Sequence, residues 1–89
     1  MMRITEGFRL RDVMGQATVI GEGVAQVDFN KLIVLNSTAA YLWKEIEDKD
    51  FDAAILAELL IKEYGIDNEL AQKDAEAILS QWIEIGLVK

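Results

Sequence analysis

Sixteen carboxylates, and not one cysteine or histidine, set the chemistry open to this chain. Without them there is no thiolate nucleophile, no imidazole base and no nitrogen or sulfur ligand for zinc. Ser37, Thr38 and Ser80 have no imidazole partner, and Ser37, beside Asn36, reads as a helix cap. The carboxylates of Glu45, Glu47, Asp48, Asp50 and Asp52 could supply an acid–base pair or an oxygen-ligand calcium loop. The Asp48-x-Asp50-x-Asp52 spacing, however, has Ala53 where such a loop needs glycine. A charge run between two helices is better read as a solvated turn. Gly21-x-Gly23 lacks a third glycine and opens no helix, so it cradles no phosphate. These residues predict a protein that is not an enzyme and holds no metal and no cofactor.

Charge narrows the partners. Residues 1–44 carry five basic and four acidic groups, for +1, and residues 45–89 carry four lysines against twelve carboxylates, for −8; together they give the net −7. So acidic a second half repels a phosphate backbone, which argues against nucleic acid. The Met1–Glu6 terminus has no apolar h-region, and no stretch approaches the ~20 apolar residues of a membrane span. A soluble cytoplasmic protein is expected.

The elements that must position any site follow from periodicity. With 89 residues the chain is expected to be one domain, a β-meander over 1–35 followed by three helices over 36–89. Phe8–Asp12 alternates, Phe8 and Leu10 on one face and Arg9 and Arg11 on the other, as a half-buried strand does. Met14-Gly15-Gln16 reads as a turn, Ala17–Ile20 as a β-branched strand, and Gly21-Glu22-Gly23 as punctuation. Val24–Phe29 alternates again, and Asn30-Lys31 suits a tight turn. Leu32–Leu35 completes a meander of three or four strands, depending on whether 17–20 and 24–29 are separate.

The second half is helical. Ala39, Leu42, Trp43 and Ile46 form an apolar stripe behind the Asn36-Ser37 cap. Asp52 caps a second helix, with Phe51 and Leu56 in staple positions; its apolar side is Ile55, Leu56, Leu59, Leu60 and Tyr64, and Gly65 stops it. Asp67 caps a third, with Glu69 in its first turn. Ala71, Ala75, Ile78, Leu79, Trp82 and Ile83 make its buried stripe, and Gly86 ends it. The predicted class is α+β, a small antiparallel meander followed by three helices in a winged helix-turn-helix-like layout.

One strand stands out. Leu32–Leu35 is apolar at every position, which calls for cover on both faces, and it carries none of the charges or prolines that blunt an edge. Helix packing or self-association could cover it, or a peptide strand could add to it. Trp43 reads as a core anchor. For Trp82 two readings stand, a core anchor or, with Gln81 and Ile85, the wall of a groove beside the sheet.

The layout and several short motifs resemble the PqqD family. They are Phe8-Arg9-Leu10-Arg11, Val27-Asp28-Phe29, Leu35-Asn36-x-Thr38-Ala39-Ala40-x-Leu42-Trp43, and the closing Gly86-Leu87. The resemblance spans Phe8 to Val88 and implies a three-stranded sheet on three helices. It also implies a function: binding the leader segment of a ribosomally made precursor peptide and presenting it to a modifying enzyme, commonly a radical S-adenosylmethionine (SAM) enzyme. In the founding pathway the product is pyrroloquinoline quinone. The glycine-punctuated 15–23 stretch, read as an insert, is associated with stand-alone relatives outside that pathway. With the resemblance, peptide addition becomes the favoured cover for the edge. The expected peptide site is Lys31, Leu32, Ile33, Val34 and Leu35 with Gln81, Trp82 and Ile85, and the expected state is a monomer or weak homodimer. The alternative function is a winged-helix DNA-binding regulator. Against it, the third helix has one lysine, Lys73, among Glu69, Asp74, Glu76 and Glu84.

Overall fold

The computed structural model describes residues 2–21 and 33–88. β1 (Phe8–Val13), β2 (Gln16–Gly21) and β3 (Ile33–Val34) form an antiparallel sheet in the order β1-β2-β3. β1 and β2 meet at Met14-Gly15, where both residues have positive φ, 54° and 84°. Two left-handed residues are what a tight twisted hairpin requires. Gln16, expected in the turn, therefore begins β2. Register places Phe8, Leu10, Val19 and Ile33 on one face and Arg9, Arg11, Ile20, Thr18 and Val34 on the other. The expected strand over 24–29, the Asn30-Lys31 turn and the beginning of the Leu32–Leu35 strand lie outside the described residues.

Helices α1 (Ser37–Ile46), α2 (Ala53–Tyr64) and α3 (Asn68–Glu84) follow. Each starts on a side chain that satisfies a free N–H of the first turn. Asn36 accepts from Ala39 N, Asp52 from Ile55 N and Asp67 from Leu70 N. Ser37, expected to share the first cap, is instead the first helical residue and exposed. Gly65, at φ 65°, closes α2. At the end of α3, Gly86 N donates to Ile83 O and Leu87 N to Trp82 O, the paired bonds that a left-handed glycine permits after a helix.

The core contains Leu42, Trp43, Ile46, Phe51, Leu56, Leu60 and Leu87, with Ala71, Ala75 and Trp82 from α3. Two residues expected on the apolar stripes are exposed instead. Ile83 is 46% exposed and Tyr64 45%. Ile83 sits 100° around the helix from Trp82, past the edge of the stripe, and Tyr64 lies at the end of α2 with its ring edge-on to Tyr41. The N-terminus is strapped across the far end. Met2 and Phe51 exchange backbone bonds of 2.7 and 2.8 Å, and Thr5 N donates to Leu87 O at 2.8 Å. No described helix is long and apolar enough to cross a membrane.

Candidate functional site

The acidic run between α1 and α2 is occupied with structure. Glu47 accepts from Trp43 Nε1 at 3.0 Å, Asp52 caps α2, and Asp50 lies 3.6 Å from the Arg3 guanidinium. Among the described residues, no three potential metal ligands gather in one place.

A different feature collects the predicted site. Between β3 and the C-terminal half of α3 lies a groove of about 240 Å³. Ile33, Val34, Leu35, Gln81, Trp82 and Ile85 all line it, joined by Asn36, Ala39 and Ile78. Lys31 and Leu32 lie outside the described residues. Helical spacing explains the far wall, because Ile78, Gln81, Trp82 and Ile85 recur at three- and four-residue steps along one face. Ile78, expected on the buried stripe of α3, is half-buried and also lines the groove. Asn36 as a cap and Ala39 as part of the α1 apolar stripe carry no local mark of groove lining.

Trp82 reconciles its two readings. It is 2% exposed, and its ring meets Trp43 edge to face, centroids 5.5 Å apart at 79°. It is therefore a core anchor whose remaining surface floors the groove. Among the described residues, no charged side chain lines the groove. The Asn36 carboxamide oxygen is engaged in capping, which leaves Gln81, exposed at the rim, as the amide best placed to meet a ligand.

The open side of β3 supplies the rest. Among the described residues, β3 has a strand neighbour only in β2. Leu35 N donates to Ala17 O at 2.8 Å, so Leu35 turns its backbone toward β2. In an antiparallel ladder each residue's N–H and C=O point to the same side, and successive residues alternate. Ile33 thus faces β2 as well, and Val34 directs its N–H and C=O to the open edge. The Val34 side chain, on the outer face of the sheet, is 58% exposed. The site is a groove lined mostly by apolar side chains and bordered by a strand edge that has no partner among the described residues, a geometry suited to an extended peptide.

Comparison with known proteins agrees with this architecture. The family profile described as coenzyme PQQ synthesis protein D (PqqD) matches residues 16–88. Two solved structures share the fold. One is a lasso peptide synthetase B1 complexed with the leader peptide, 19% identical, with a TM-score of 0.74 over 99% of this chain and 96% of that one. The other is TbiB1 in complex with the TbiA(beta) leader peptide, 11% identical, with a TM-score of 0.76 over 98% of this chain and 94% of that one. No curated protein sequence is significantly similar.

Proposed function

The chain belongs to the coenzyme PQQ synthesis protein D (PqqD) family, and we propose that it is a non-catalytic peptide-binding module. It binds the leader segment of a ribosomally made precursor peptide and presents it to a modifying enzyme of the radical SAM type. The leader adds antiparallel to β3 at the Lys31–Leu35 edge. Its apolar side chains enter the groove against Trp82 and Ile85, and Gln81 meets its backbone or polar side chains at the rim. The observation that carries this reading is the outward-facing backbone of Val34 beside a groove whose described lining is apolar side chains and two amides. Two proteins of the same fold are complexed with leader peptides, which supports the reading.

The protein works in the cytoplasm, without a metal or cofactor of its own, as a monomer or weak homodimer. Weak pairing of two copies through the same edge would compete with the peptide. Affinity for the leader is modest, because a flexible segment loses conformational entropy on docking.

Proline tests the edge directly, since it removes the donor N–H. Val34→Pro should leave the far-UV circular dichroism unchanged and weaken calorimetric binding of the candidate leader about tenfold, the loss of roughly 1.4 kcal/mol expected for backbone bonds at one residue. Undiminished binding to a folded Val34→Pro protein would remove strand addition from the account.

A further inference from the structure

A second, wider hollow of about 800 Å³ adjoins the groove at the end of β3. Val34, Leu35 and Asn36 line both. The second hollow runs on to the start of β2 and to α1, where it is lined by Ala40, Tyr41 and Lys44. Among the described residues, Lys44 is the only charged one lining it. It is exposed and makes no ion pair among the described residues. The half-buried Tyr41 donates its hydroxyl to Leu59 O at 3.4 Å, so it offers the hollow its ring. Glu45 and Glu63 act on the Tyr41 phenol electrostatically but line neither hollow. Arg11 and Asp12, with opposite charges, line a smaller hollow beyond Lys44.

Strand polarity connects the two hollows. β3 runs toward Asn36 and the second hollow. A peptide added antiparallel to it therefore has its N-terminal end at Asn36. Extended residues that precede the paired segment therefore run from the groove into the hollow that Lys44 lines. We propose that this hollow is a second subsite of the leader-binding site, and that it takes an acidic residue N-terminal to the paired segment, its carboxylate on Lys44 and its stem against Ala40 and the Tyr41 ring. This rests on the strand-addition reading above. It adds a charge preference and a direction that the groove's described lining, which has no charged side chain, does not provide.

A ribosome-displayed library of random dodecapeptides, selected in parallel on the wild-type protein, Lys44→Glu and Val34→Pro, tests it. Wild-type binders should share alternating apolar residues with Asp or Glu enriched on their N-terminal side. Lys44→Glu should retain the apolar alternation and exchange the acidic preference for Lys or Arg. A wild-type binder measured individually should lose about fivefold in affinity to Lys44→Glu at low salt and less at high salt. Apolar alternation that depends on Val34, but with no acidic enrichment or with enrichment on the C-terminal side, overturns the subsite and leaves the edge reading standing. Binders that Val34→Pro retains fully overturn both.

Discussion

Trp43 joins the stability of the protein to the shape of its groove. Its side chain is fully buried, it donates Nε1 to Glu47, and its ring backs Trp82, which floors the groove. Trp43→Ala should therefore cost about 3–5 kcal/mol in a denaturant melt, as large aromatic truncations in cores do. A loss under about 1 kcal/mol would mean that the α1 stripe faces elsewhere. Tyr41 makes a different prediction. Its phenol is held above its ordinary value of 10.0, first by burial and then by Glu45, Glu63 and Tyr64. A raised folded value means that the folded state holds the proton more tightly. The associated stability is fully present below the ordinary phenol value and is lost as pH rises through the higher folded one. Phenolate absorbance should show a late-titrating tyrosine that Tyr41→Phe removes. Titration of Tyr41 at or below 10.0 would contradict the burial seen here.

At the scale of elements, alternate residues of β3 do different work. Ile33 and Leu35 hold the sheet to β2, whereas Val34 faces outward. Ile33→Pro should accordingly destabilise the fold itself, by about 2 kcal/mol or more, while Val34→Pro shifts the melt by under about 1 kcal/mol. Equal melts for the two variants would reverse or abolish the assigned parity. The sequence could place β3 and its apolar character, but not this parity, because the direction of a strand's N–H groups depends on its partner and register. What was legible is what local chemistry decides. Asp52 and Asp67 cap their helices, Gly65 and Gly86 end theirs, and the Ala39, Leu42, Trp43 and Ile46 stripe is buried, all within a few residues of the signal. Met14 gave no sign of a left-handed turn, since a methionine there is unusual. The Met2–Phe51 and Thr5–Leu87 bonds join distant segments with no pattern of their own. Six of the eight expected site residues line one groove because helical periodicity placed Gln81, Trp82 and Ile85 together; Asn36, Ala39 and Ile78 were missed because their capping and core roles explained them fully.

Over the whole molecule, apolar recognition and charge lie in different places. Among the described residues the groove between β3 and α3 has no charged lining, while residues 45–89 carry −8 against +1 in residues 1–44. If backbone pairing and apolar contact dominate, binding of a leader should survive added salt with only a modest loss, whereas attraction to the acidic helices would be screened away. The most direct test is an NMR titration of the labelled protein with the candidate leader, at low and at high salt. The account predicts that amide shifts concentrate at Ile33–Leu35 and at Ile78–Ile85, that they persist at high salt, and that the Val34 amide becomes protected from exchange. Shifts confined to residues 45–70, with β3 and the end of α3 unmoved, would contradict it.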